Sequence, residues 1–292
     1  EFYGTEDALH AAFRHFIENI PFYGFAVLCL DHPAVQALIP DLNDKRVITY
    51  GFNPQADIRA VNIRQEQWGN MFDVVIADWL NDGTPLTLKD FYLPMPGEHN
   101  VQNALVALTL AQEMGIPPAT MKQAIKNFSG VKRRFTKTGE THGITVVDDY
   151  GHHPVEIRAV LKAGRNVVAN TSGRLIAVVQ PHRYSRLHDL FEDFCRCLND
   201  ADHVIIADVY AAGETPIEGA DKDSLVAGIK RYGHRSVHAL SGPETLAAQI
   251  ADYAQDGDLV ICLGAGNITK WAYELPAQLD GILAKKDTKK AS

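Results

Sequence analysis

Asp148-Asp149-Tyr150-Gly151-His152-His153-Pro154 follows the run Gly143-Ile144-Thr145-Val146-Val147 and opens onto a helical pattern at Pro154. An apolar β-rich run, a polar turn and Pro at a first helical position read together as a strand-to-helix unit. In an open α/β sheet the carboxyl end of a strand is where ligands bind. The stretch also reads as a plain Asp/Gly turn. The next unit argues against stopping there. Leu175-Ile176-Ala177-Val178-Val179 runs into Gln180-Pro181-His182-Arg183-Tyr184-Ser185-Arg186, before a helix expected over 187–198. Two successive βα units thus place His, Tyr and Arg at a strand's carboxyl end. If these strands are parallel neighbours, as a βαβ crossover predicts, their loops face each other. Tyr150, His152, His182, Arg183 and Arg186 then line a pocket suited to a small carboxylate, which Arg grips as a bidentate fork.

Working outward, strands are expected to begin near residues 143, 174, 203, 236 and 258, with helical stretches between and after them. This alternation predicts a parallel, doubly wound α/β domain. Two further loops share the edge. Asp208-Val209-Tyr210-Ala211-Ala212-Gly213-Glu214 is given no role. Gly264-Ala265-Gly266-Asn267 is a poor dinucleotide signature, because its glycines follow the last strand and no third Gly completes the pattern. Asp148, Asp149, His152 and His182 have the ligand types for a metal, but no metal site is assigned. His153 and His188 are read as structural.

In the first half, Thr5 caps a helix with Leu9, Ala12, Phe13, Phe16, Ile17 and Ile20 at helical spacing. Buried strands are expected at 25–30 and 47–52. From 57 to 94 the runs shorten into an antiparallel patch at the sheet's edge, with turns at Gly69-Asn70 and Asn81-Asp82-Gly83. Trp68 and Trp79 are read as packing or rim residues rather than a binding platform. Pro96-Gly97-Glu98-His99-Asn100-Val101-Gln102-Asn103 then starts a helix near His99, with Asn100 and Asn103 on one face. An Asn amide both donates and accepts, as an adenine edge requires; Asn100 also reads as a helix cap. A second helix, 118–127, precedes a linker at 130–135.

The chain has 292 residues, 46% of them hydrophobic, enough for about two domains. A net charge of −8 implies no broad basic face, so nucleic acid is not expected as a partner. Cys29, Cys195, Cys197 and Cys262 lie in or beside apolar runs without CxxC spacing and read as reduced core thiols. No apolar run is long enough to span a bilayer, and no signal-peptide layout opens the chain. A cytoplasmic, bacterial protein without membrane insertion, monomeric or homodimeric, is expected. The charged stretch 285–292 is expected to be disordered.

DDYGHHP at 148–154, QPHRYSR at 180–186, GEHNVQN at 97–103 and GVKRRF at 130–135 occur in the order found in the Mur ligase family, which the chain resembles over essentially its whole length. The resemblance implies a partial central α/β ATPase-type domain at 1–132, a doubly wound Rossmann-like carboxy-terminal domain at 133–284 and the tail at 285–292. No GxxxxGK[ST] phosphate loop occurs. By resemblance that loop, the magnesium ligands and a UDP-sugar domain precede Glu1, so the chain is expected to be a fragment, inactive alone. The implied chemistry is carbon–nitrogen ligation in peptidoglycan synthesis, serving cell wall biogenesis, cell shape and cell division. ATP, with Mg2+, would phosphorylate the lactoyl carboxylate of UDP-N-acetylmuramate, and L-alanine would attack the acyl phosphate. Also by resemblance, His99, Asn100, Asn103, Arg134 and Asp149 contact ATP, with Asp149 on the ribose and Asp148 its possible substitute. Tyr150, His152, His182, Arg183 and Arg186 take L-alanine, and His152 is the candidate general base. Two alternatives are a family member that adds a tripeptide to the same sugar, where DDFAHHP and no QPHRYSR are expected, and a binding module without turnover.

Overall fold

The computed structural model describes residues 4–66, 68–169 and 171–290, with the side chains of 287–290 left aside. It divides into two compact units, Glu1–Ser129 and Gly130–Ser292.

The first unit runs α1 (Glu6–Glu18), β1 (Phe25–Cys29), α2 (Pro33–Leu38), β2 (Arg46–Gly51), β3 (Ile58–Glu66), β4 (Gly69–Ile76), β5 (Leu86–Leu93), α3 (Glu98–Glu113) and α4 (Pro118–Lys126). Thr5 caps α1 by accepting from Ala8 N. The strands form one sheet in sequence order, parallel from β1 to β3 and antiparallel from β3 to β5. Ile58, Phe72, Phe91 and Leu93 pack with Val101 and Leu105 of α3 into the core of this unit. Gly69-Asn70 is not a turn, as its composition suggested, but the start of β4. Asn70 is buried, and its Nδ2 donates to Met95 O at 2.6 Å and Gly97 O at 3.2 Å. That tertiary demand outweighs the local turn preference.

The second unit runs β6 (Thr136–Thr141), β7 (Ile144–Asp149), α5 (Pro154–Val168), β8 (Leu175–Val179), α6 (Tyr184–Asp189), α7 (Phe191–Arg196), β9 (His203–Ile206), α8 (Lys222–Arg231), β10 (Val237–Ala239), α9 (Leu246–Ala251), β11 (Leu259–Leu263) and α10 (Ile268–Lys290). Its sheet order is β10-β9-β8-β11-β7-β6, parallel throughout except for β6. This corrects the expectation that β7 and β8 are neighbours: β11 lies between them and pairs with both. Hydrophobic period identifies a strand but not its slot. β6 is an edge strand that the sequence reading did not foresee, because its Thr-rich, wholly non-hydrophobic composition suits a solvated edge rather than a core.

Helices cover both faces. Ile144, Val146, Ile176, Val178, Val260 and Cys262 share a cluster with residues of α9 and α10. On the opposite face Gly164 of α5 packs so closely that a Cβ would come within 2.7 Å of Ile261. All four cysteines are free, and burial pushes the Cys197 thiol up to about 12. The single helix expected over 187–198 is two, broken at Leu190 (φ −113°, ψ 23°), and the first of them already starts at Tyr184. Helix α10 continues through residues expected to be disordered, to Lys290. Lys286 holds it to α9 by donating to Ala251 O and pairing with Asp252. Residues 291–292 lie outside the described part.

Candidate active site

Register sets the site's floor. Asp149 pairs with Leu263, Leu263 with Val179, and Val179 with Ile206, so the carboxyl ends of β7, β11, β8 and β9 stand level. The loops after β7 and β8 bend over the intervening end of β11 and meet there. The His152 and His182 ring centroids are 5.7 Å apart, and Tyr150 stands edge-on to His152 at 5.1 Å. Arg186, one helical turn beyond His182, donates from Nη1 to His182 O at 3.0 Å and lies 3.3 Å from His182 Nδ1.

These contacts assign the imidazoles different protons. His152 Nδ1 is 3.0 Å from the carbonyl oxygen of Tyr150, which only accepts, so Nδ1 carries the hydrogen and Nε2 the lone pair. Arg186 only donates, so His182 Nδ1 accepts and its Nε2 carries the hydrogen. Burial lowers both histidines below the usual imidazole range, with Arg186 adding to it. Both rings are therefore neutral at pH 7. His153 is the helix cap of α5, in a capping box with Glu156. Glu156 also accepts from His152 N at 3.1 Å, which fixes the loop. The box could have been read from the Glu three residues after His153.

The aspartates are occupied elsewhere. Asp148 is 0% exposed, and Thr269 Oγ1 donates to it at 3.0 Å. Asp149 is 2% exposed; its Oδ2 accepts from Phe135 N at 2.8 Å and its Oδ1 from Gly151 N at 2.7 Å. Burial pushes the Asp149 carboxyl up to about 6, against the pull of those two N–H groups. The two carboxyls are enclosed to the same degree.

The two arginines of the linker divide. Arg133, at φ 63°, donates to Gly264 O at 2.5 Å and Gly266 O at 3.3 Å, and its guanidinium lies 4.6 Å from the Tyr150 ring centre. Close neighbours explain the glycines of this loop: a Cβ on Gly264 would lie 2.8 Å from Gln180 O, and one on Gly266 2.7 Å from the Tyr210 ring. Arg134 is exposed, near enough to Asp149 and Glu156 for its charge to favour both carboxylates; Glu156 ends below its usual range, whereas burial still holds Asp149 above it.

In the first unit α3 begins after Gly97, whose φ of 93° a residue with a Cβ rarely adopts. Gly97 therefore holds the cap position that was the alternative reading of Asn100. Asn100 is buried and donates to Pro96 O at 2.7 Å; His99 is half-buried, and Asn103 is exposed one turn along. Among the described residues no three or more His, Cys, Asp or Glu side chains converge as a metal site would require, so the four-residue metal set does not form.

Residues 1–111 match the Mur ligase middle domain, and residues 133–266 match the Mur ligase, glutamate ligase domain. The chain belongs to the Mur ligase family. It is 57% identical over 282 residues to the UDP-N-acetylmuramate--L-alanine ligase of Rhodospirillum centenum, covering 97% of this chain and 58% of that protein. It is 56% identical over 286 residues to the protein of the same name from Rhodospirillum rubrum, covering 98% of this chain and 59% of that one. The chain thus spans under two thirds of the length of these relatives. The solved UDP-N-acetylmuramate-alanine ligase of Thermotoga maritima shares the fold, with a TM-score of 0.75 at 21% identity over 96% of this chain and 56% of that one. No described helix is long and apolar enough to cross a membrane.

Proposed function

We propose that this Mur ligase chain supplies the amino-acid site and part of the nucleotide site of an ATP-dependent ligase that joins L-alanine to the lactoyl carboxylate of UDP-N-acetylmuramate. The observation that carries this reading is the meeting of His152 and His182 beside Arg186, with their protons assigned. The names of the relatives supply the substrates.

In this reading ATP phosphorylates the lactoyl carboxylate, and the alanine nitrogen attacks the resulting acyl phosphate. The carbon–nitrogen bond forms, the carbon–oxygen bond to phosphate breaks, and phosphate leaves. Arg183 and Arg186 hold the alanine carboxylate. The ammonium proton goes to Nε2 of His152, the lone pair that the Tyr150 carbonyl leaves available. Tyr150 and His182 shape the pocket. Arg134, uncommitted to the carbonyls that Arg133 holds, faces nucleotide phosphate or ribose, and Asn103 with His99 and Asn100 meets adenine. The burial of Asp149 favours a role in holding the 133–151 segments together over direct contact with ribose. Magnesium would offset phosphate charge during transfer; no ligand set for it exists among the described residues, and no step here runs through it.

The test is phosphate release by the full-length protein that carries this sequence, with ATP, magnesium and UDP-N-acetylmuramate, adding amino acids singly. Release dependent on L-alanine is expected. Release supported by a peptide but not by alanine would reassign the protein to tripeptide addition and remove the alanine pocket with it.

A further inference from the structure

The loop after β9 has no part in the chemistry above, yet it is tied to the residues that carry it. Arg183 N donates to Tyr210 O at 2.9 Å, Tyr210 N donates to Pro181 O at 2.8 Å, and the Tyr210 ring stacks on His182 with centroids 5.4 Å apart. Arg183 sits at φ 72°, a region uncommon for residues with a Cβ, so its conformation must be held by what surrounds it.

Glu214, from the same loop, supplies the hold. Its Oε2 accepts from Ser185 N at 3.0 Å, and its Oε1 accepts from Ser185 Oγ at 2.7 Å and from Arg183 Nη1 at 3.4 Å. These donors keep its carboxyl below the usual range, so it is ionised at neutral pH. One carboxylate thereby joins the Arg183 guanidinium to the first turn of α6, the turn that carries Arg186.

We infer that Glu214 is a positioning residue for the amino-acid carboxylate: it fixes the spread of Arg183 and Arg186 and balances their charge between turnovers. Two guanidinium groups on adjacent turns repel in a partly dry pocket, and an anion behind them lowers that cost without occupying the substrate's place. The inference rests on the reading of Arg183 and Arg186 as carboxylate-binding residues.

The experiment uses the full-length protein with Glu214→Gln, Glu214→Asp, Arg183→Ala and the Arg183→Ala/Glu214→Gln double variant. Glu214→Gln is expected to raise KM for L-alanine about tenfold, the effect of one charge-assisted hydrogen bond. KM for ATP and for the UDP-sugar stays put, as does kcat at saturating alanine. Glu214→Asp, which keeps the charge, recovers part of the loss. In the Arg183→Ala background Glu214→Gln has no further effect. An unchanged alanine KM, an equal rise for all three substrates, or additivity with Arg183→Ala overturns the inference. If another amine proves to be the substrate, the functional reading fails and the KM of that amine is read instead. If nothing turns over, the Arg183 guanidinium 15N resonance decides: a shift in Glu214→Gln sustains the contact and an unmoved signal overturns it.

Discussion

At the end of β7 two carboxylates are buried and committed to Thr269, Phe135 and Gly151; at the end of β8 two guanidinium groups stay half-exposed, braced by His182 and Glu214. Both loops are rich in titratable residues, and by composition the first is the more acidic candidate site. The difference lies in where each side chain's hydrogen bonds end. Asp149 meets backbone N–H groups on two segments, so its hydrogen-bonding capacity is already used and burial disfavours its charge. The cations of the second loop are each held by a neighbour, Arg183 by Glu214 and Arg186 by His182, while keeping capacity for an anion. Charge density alone marks a site poorly; unanswered charge marks it better.

The largest effect that sharpens this contrast is on the base. His152→Gln is expected to lower kcat by about 10² or more, the usual worth of a general base, with the alanine KM little changed. The wild-type rate should also lose its activity below the lowered His152 pKa, a limb absent from the variant. A variant that keeps kcat but loses alanine affinity would remove His152 from the chemistry and leave it a pocket wall.

Next is stability. The Asp149 carboxyl at about 6 lies above its unfolded value. The protonated folded form is favoured in between, so this group's contribution is complete below about pH 4 and lost as pH rises through about 6, worth about 3 kcal/mol in all. Asp149→Asn should flatten that fall in urea unfolding between pH 4 and 6. At pH 7 the amide loses one acceptor, about 1–3 kcal/mol, but also removes the cost of ionising the buried carboxyl, so its net effect there is small. Equal pH slopes in the two proteins would break the comparison.

Smaller effects concern the nucleotide. Arg134→Ala should raise the ATP KM about tenfold, as loss of one charge-assisted contact does, whereas Arg133→Ala should lower the melting temperature instead. Asn103→Ala should raise the ATP KM only about threefold, one neutral hydrogen bond's worth. Should Arg133→Ala prove the stronger ATP variant, the division of labour in the linker is reversed.

The fold class was legible because period-2 and period-3.6 patterns alternate cleanly after residue 143, and because Thr5 and Pro154 sit where helix starts favour them. Which loops carry the dense polar residues was legible for the same reason. Strand order was not: nothing in the apolar run 259–263 says that it enters between its two earlier partners. The commitments of Asp148 and Asp149 were hidden too, since they depend on Thr269 and Phe135, which are far away or in the linker. Asn70 was misplaced in a turn because its partners, Met95 and Gly97, lie beyond a whole hairpin. Glu214 carried no signal, since the bond that matters reaches back to Ser185 in the first turn of α6.

The slot of β11 has a consequence for how the protein comes to exist. The strand that fills the middle of the sheet is translated after the sheet's other described strands, so β7 and β8 emerge from the ribosome with their central edges bare and must wait for 259–263 to close the gap. Until then the two histidine loops have no common floor, and the nascent chain exposes two adjacent apolar strand edges, the kind of surface that chaperones guard and that aggregates when left unattended.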